Sequence, residues 1–118
     1  MTFRQSIHIT AYALSGVIAA GVIVVLLVPI EPGPPPPVVG LDKIVHAFLF
    51  FAIALPILSV RPPAWVWLLP VLAAMGGVIE LIQPFFGRGR EFWDFIANIV
   101  GVLLAMPAGR AMYRVFSK

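Results

Sequence analysis

The sequence predicts an all-α membrane protein, a four-transmembrane-helix bundle with both termini cytoplasmic. Of its 118 residues, 61% are hydrophobic and 11% are charged, and the mean hydropathy is +1.03. A soluble domain of this size is far less apolar. Four apolar runs also approach the length of about 20 residues that a helix needs to cross a bilayer. We therefore expect one membrane domain over residues 1–118.

The first predicted span covers about residues 7–30, after a short polar start. The run contains no formally charged residue and is long enough to cross a bilayer. A cleaved signal peptide is the alternative, but the run is longer than a typical signal core and no small-x-small cleavage site follows Pro29. Residues 31–40 then contain five prolines and two glycines, which predicts an extended outer loop exposed to water.

The second and third spans are predicted at about residues 41–60 and 64–86. Polar residues occupy the first turns of the second span, and Pro56 is placed to kink its end. The third span begins with Trp65 and Trp67, and tryptophan favours the headgroup level of a bilayer. The Arg61-Pro62-Pro63 sequence separates the two spans. The third helix should therefore begin at an interface.

The fourth span is predicted at about residues 92–116, and small residues recur along it at every fourth position. These residues are Ala97, Gly101, Ala105 and Gly109. Small side chains on one helical face allow a neighbouring helix to approach closely in a membrane. We expect this stripe to be a packing face.

Charge is distributed unequally between the two sides of this four-span arrangement. The side of the termini carries five basic residues and no acidic one, whereas the opposite side has a net charge of −2. Cytoplasmic loops of membrane proteins are enriched in Lys and Arg. The termini are therefore predicted to be cytoplasmic, and the loops at 31–40 and 87–91 to face outward.

Polar residues are concentrated at residues 80–101 and at the start of the second span. Glu80 and Gln83 share one helical face, as do Asp94 and Asn98, because residues three or four apart are neighbours on a helix. In the predicted topology these faces converge with the second span in the outer half of the membrane. We predict a ligand-binding site formed by Asp42, Lys43, His46, Glu80, Gln83, Arg88, Asp94 and Asn98. Its candidate catalytic residues are His46, Glu80 and Asp94.

Several classes of chemistry are disfavoured. The chain has no cysteine, and neither serine nor cysteine occurs in the polar site, which excludes ordinary nucleophile–base–acid triads. Its carboxylates and single histidine are suitable metal ligands, but the H-x-x-x-H and H-E-x-x-H spacings are absent. No metal and no cofactor are predicted. Nucleic acid is not expected as a partner either, because no basic stripe with interleaved aromatic residues is present.

The polar motifs resemble the VanZ-like family over about the last two-thirds of the chain. The resemblance lies in D-K-x-x-H at residues 42–46, E-x-x-Q at 80–83 and R-x-x-E-x-x-D-x-x-x-N-x-x-G at 88–101. The position four residues after the histidine, often tyrosine in this family, is Phe50. The resemblance implies a small helical protein of the bacterial cytoplasmic (inner) membrane, in a family named for a member linked to teicoplanin resistance.

Three functions remain open. The first is a non-enzymatic protein that recognises a polar head group at the outer leaflet, with Arg88 and Lys43 holding anionic oxygens. Its partners would be membrane lipids, a lipid-linked cell-wall precursor or a glycopeptide. The second is an intramembrane hydrolase or transferase acting on a lipid-linked substrate, with His46 and Glu80 as an acid–base pair. The third is a structural helix bundle with a polar interhelical network.

Overall fold

The computed structural model describes residues 1–28, 40–86 and 92–117 as an α-helical protein. Within these residues it contains four α-helices, namely α1 (Phe3–Leu27), α2 (Leu41–Val60), α3 (Trp65–Ile82) and α4 (Phe92–Phe116). Short 3₁₀ turns at Pro62–Ala64 and Gln83–Phe86 flank α3. All four helical segments are long and apolar enough to cross a membrane. The predicted fold class, a bundle of four such helices, is confirmed.

Helix α1 begins earlier than the hydropathy pattern predicts. The Thr2 side chain accepts a hydrogen bond from the Gln5 backbone N–H at 3.1 Å, and the Gln5 side chain accepts one from the Thr2 N–H at 2.8 Å. This reciprocal capping box satisfies two of the backbone donors that a helix start leaves free. The helix therefore begins four residues before the span predicted from hydropathy, because the cap lets the polar start form the first turn of α1.

Prolines have different effects in the other helices. The α-helical part of α3 ends at Ile82, and residues 83–86 form a 3₁₀ turn, because Pro84 has no N–H with which to continue the α-helical ladder. Pro56 lies inside α2, which nevertheless continues to Val60. The predicted connectors at 31–39 and 87–91 lie outside the described residues. Gly40, with a φ of 83°, directly precedes α2 and is suited to this left-handed conformation.

The helices lie side by side in the order α1, α2, α4, α3, and the most extensive contact joins α2 to α4. These two helices run in the same direction, since Gly101 lies against Ala47 and Gly109 lies against Leu58. We call the end of the bundle with Phe3 and Val60 the terminal end, and the end with Leu27 and Leu41 the distal end. The polar residues at the starts of α2 and α4 are therefore brought to the same, distal end.

The small-residue stripe of α4 forms its interface with α2, in agreement with the sequence prediction. All four of its residues are buried, and a Cβ atom at Gly101 would lie 2.9 Å from the Ala47 carbonyl carbon and closer still to its oxygen. The apolar core on either side of this contact includes Phe50, Leu58 and Val102. Large apolar side chains remain exposed on the outer faces of all four helices, as expected for surfaces that face lipid.

The orientation of the bundle can be tested in a chain that has no cysteine of its own. We expect an impermeant thiol reagent added to intact cells to label the Gly33→Cys variant and not the Ser117→Cys variant. This result follows from the excess of basic residues on the side of the termini. Labelling of Ser117→Cys alone would show the inverted orientation and would place the distal end in the cytoplasm.

Candidate functional site

Four of the predicted site residues, three of them buried, form one group at the distal end. Lys43 and His46 lie one turn apart on α2, and Asp94 and Asn98 lie one turn apart on α4. Since the two helices run parallel and residues at these spacings share a face, both pairs point into the α2–α4 interface. We call these four residues the polar cluster. Its position follows from sequence spacing and from the close packing of the small-residue stripe.

An ion pair joins the two helices at the outer margin of the polar cluster. The Lys43 Nζ lies 2.7 Å from the Asp94 Oδ1, and the same ammonium group also donates to the Asp42 Oδ2. The Asp94 side chain is 11% exposed, that of Lys43 is 28% exposed and that of Asp42 is 49% exposed. Burial therefore increases from Asp42 to Asp94, with the ammonium group between two carboxylates.

This arrangement changes the role predicted for Lys43. A lysine that already contacts two carboxylates has little positive potential left for an incoming anion, because opposite charges at this distance largely offset one another. The hypothesis that Lys43 holds anionic oxygens is therefore not supported by its surroundings. In the described residues Lys43 instead holds Asp94 in position.

His46 makes a side-chain contact with both Asp94 and Asn98 on α4. Its Nδ1 lies 2.9 Å from the Asn98 Oδ1, and its Nε2 lies 3.5 Å from the Asp94 Oδ2. An amide oxygen only accepts, so the imidazole donates from Nδ1. The contact at Nε2 is longer than a usual hydrogen bond, and the ring attracts the carboxylate there only in its protonated form, since Nδ1 carries the single N–H of the neutral imidazole. Both ring nitrogens of this buried histidine therefore face groups of the protein itself.

Glu80 approaches the same level of the bundle from α3. A Cβ atom at Gly76 would lie 2.9 Å from the Asn98 Nδ2, so this part of α3 packs directly on the polar cluster. Helices α3 and α4 are antiparallel, and Glu80 and Asp94 each lie one turn closer to the distal end than Gly76 and Asn98. Glu80 and Asp94 are thus at the same height, and both are buried.

Gln83 binds α1. Its Nε2 donates to the Leu26 carbonyl oxygen at 3.1 Å, and its side chain is almost fully buried. The alternative that this amide links helices without taking part in chemistry agrees with its contact. Arg88, the remaining predicted site residue, lies outside the described residues, as do Arg90 and Glu91.

Sequence reasoning overlooked two residues that shape this site. Gly76 was not singled out, although the absence of a side chain there is what allows Asn98 to pack on α3. Phe50, noted as a departure from the resembled family, is fully buried, with ring atoms 3.5 Å from the position of a Gly76 Cβ. It fills the apolar layer directly beneath the polar cluster, and a single sequence gives no signal for either contact.

Within residues 1–28, 40–86 and 92–117, no three histidine or acidic side chains are grouped as ligands of one metal ion. The arrangement that is present can hold a proton, position a carboxylate and offer hydrogen bonds at the membrane boundary. No family model, curated protein or solved structure matches the chain.

Proposed function

We propose that the protein recognises a polar head group at the distal end of the bundle, in the outer leaflet of a bacterial cytoplasmic membrane. The observation that carries this proposal is the burial of three of the four polar-cluster residues, His46, Asp94 and Asn98, at one end of an otherwise apolar bundle. Ionisable groups inside a membrane are costly and are retained mainly where they pair or function. The pairing of Lys43 with Asp42 beside the cluster leaves a partly exposed polar edge for a ligand.

The charges favour a particular type of head group. In the described residues the distal end holds three carboxylates, of Asp42, Glu80 and Asp94, and the single ammonium group of Lys43. A site of this composition suits hydroxyl, amide or amine groups that donate hydrogen bonds to carboxylates. The resemblance to the VanZ-like family extends the proposal to a lipid-linked cell-wall precursor or a glycopeptide, and to protection of teicoplanin type.

Recognition is favoured over an acid–base reaction by the surroundings of His46. A general base needs a ring nitrogen within reach of the proton that it abstracts, whereas the His46 nitrogens face Asn98 and Asp94. The contacts of the polar cluster also favour the structural alternative, because they join α2 to α4 without any ligand. Head-group recognition and the structural bundle differ in the role that they give to the buried carboxyl group of Glu80.

Glu80→Gln separates these readings. The change keeps the size of the side chain and most of its hydrogen-bonding capacity while removing its charge. If Glu80 binds a head group, we expect glycopeptide protection of cells expressing the variant to be lost while folded protein stays abundant in the membrane. If Glu80 serves only as the anionic partner in a buried ion pair, the expected result is a loss of about 3–5 kcal/mol of stability and lower expression.

The measurement is the susceptibility of the cells, normalised to folded protein. Gln83→Ala is the matched control, because it removes a buried interhelical hydrogen bond one turn away without changing charge. It should cost about 1–3 kcal/mol of stability and leave protection per folded molecule unchanged. Full protection by well-folded Glu80→Gln would contradict the assignment of Glu80 to the binding site.

A further inference from the structure

The terminal end of the bundle contains a basic cavity that the proposed function does not use. Its volume is about 670 Å³. The polar side chains that line it come from the start of α1, the turn after α2 and the end of α4. They are Arg4, His8, Arg61, Arg110, Tyr113 and Arg114. The four arginines are exposed rather than buried, so their guanidinium groups are available to a ligand.

The helices present four of these side chains in two stacked pairs. Arg4 and His8 are four residues apart on α1, and Arg110 and Arg114 are four residues apart on α4, so each pair shares one face. Like charges at this spacing, such as those of Arg110 and Arg114, destabilise a helix when nothing lies between them. The excess of basic residues on one side of a membrane protein accounts for arginines at this end, but it does not require them to converge on one cavity from three elements.

No carboxylate of the described residues neutralises these cations. Among residues 1–28, 40–86 and 92–117 the only acidic residues are Asp42, Glu80 and Asp94, which all lie at the distal end. Within the same residues none of the four arginines makes a salt bridge. Guanidinium groups match the geometry of phosphate oxygens and bind them through paired hydrogen bonds. The cavity therefore has the charge and donors of a phosphate site.

An apolar groove leads from this cavity into the membrane-spanning part of the bundle. It has a volume of about 580 Å³, and its lining extends from Phe3 to Leu14 on α1 and includes Leu55 and Pro56 of α2. Val60 lines both the groove and the basic cavity. A smaller hollow that includes Arg4, Ile7 and Ser59 lies between them. A basic pocket continuous with an apolar groove is complementary to a phosphate group joined to an acyl chain.

We infer that the terminal end binds one anionic phospholipid, with its phosphate among the arginines and an acyl chain along the groove between α1 and α2. The test uses the purified full chain in neutral detergent, where loss of arginines cannot change membrane orientation. Binding of phosphatidylglycerol and of phosphatidylcholine is measured by native mass spectrometry. We expect one phosphatidylglycerol per chain, bound at least tenfold more tightly than phosphatidylcholine.

Variants separate the two parts of the site. Arg110→Gln combined with Arg114→Gln should weaken phosphatidylglycerol binding about 10- to 100-fold, since hydrogen bonds to charged groups are strong. The corresponding double lysine variant should restore part of that loss. Arg90→Gln, which removes a cation from the segment between α3 and α4, should change binding less than twofold. Thr10→Phe, which places a ring in the groove, should weaken lipid binding and leave that of inorganic phosphate unchanged.

Three results would overturn the inference. The first is equal binding of the two lipids, and the second is binding by the double glutamine variant within twofold of wild type. The third is normal lipid binding by Thr10→Phe together with displacement of the lipid by inorganic phosphate at similar concentration, which would indicate a site for soluble phosphate.

Discussion

Replacing Gly101 with alanine is expected to separate α2 from α4 and to destabilise the protein by more than about 2 kcal/mol. The added Cβ atom would lie 2.9 Å from the Ala47 carbonyl carbon and closer to its oxygen. These are backbone atoms, so the clash is relieved only by moving a whole helix, and overpacking of this kind costs about 1–3 kcal/mol or more. The gain of about 1 kcal/mol in helix propensity from Gly to Ala is too small to offset it.

Two other glycines of the chain provide a matched control, for which the expected change in stability has the opposite sign. Gly16 and Gly21 lie in the interior of α1, and a Cβ atom at either position would meet no other atom within 4 Å. Gly16→Ala and Gly21→Ala should therefore leave stability unchanged or raise it by up to about 1 kcal/mol. The measurement is the midpoint of thermal unfolding of purified protein in detergent. A Gly101→Ala midpoint equal to or above that of Gly16→Ala would contradict the close contact of α2 and α4.

Removing the ammonium group of Lys43 is expected to be the most costly side-chain change at the distal end. In Lys43→Met the carboxylate of Asp94, which is 11% exposed, loses its partner at 2.7 Å. Leaving a buried charge without its partner costs about 3–5 kcal/mol. Asp42→Asn is the control, because that carboxylate is 49% exposed and exposed pairs contribute about 0–1 kcal/mol.

The double variant Lys43→Met with Asp94→Asn tests whether the cost comes from the unpaired charge. Because no charge then remains in the pair, the double variant should be more stable than the sum of the two single changes predicts. The free energies of unfolding of the wild type, the two single variants and the double variant give the coupling energy directly. Additive losses would mean that Lys43 and Asp94 do not act as a pair in the folded protein.

The fold was predictable because each helix carries its own signal in the chain. Apolar length predicted all four spans, and the spacing of Ala97, Gly101, Ala105 and Gly109 predicted the packing face of α4. The convergence of His46, Asp94 and Asn98 followed from topology and helical spacing. Local sequence predicts the spans and the stripe, and the alternating direction of the helices places the three polar residues at one end of the bundle.

What could not be predicted depends on which helices become neighbours. The sequence does not indicate that α2 lies beside α4 rather than beside α3. The close packing of Gly76 on Asn98 and the hydrogen bond from Gln83 to α1 were therefore not predictable. The arginines of the terminal end were interpreted only as determinants of orientation. The repeated spacing of four residues in Arg4–His8 and Arg110–Arg114 was the available signal for a shared cavity.

The contact between α2 and α4 also constrains the order of events during synthesis. Helix α2 begins at Leu41 and α4 begins at Phe92, so about 50 residues must be added before the α4 partners of Lys43 and His46 exist. At roughly 5–20 residues per second this interval lasts on the order of 3–10 s. During that time α2 carries a histidine and a lysine whose α4 partners have not been made, and α3 is completed before they are. We therefore expect α2 to stay near the insertion machinery until α4 has been synthesised. Truncation of the chain before residue 92 should then leave α2 without its partner helix.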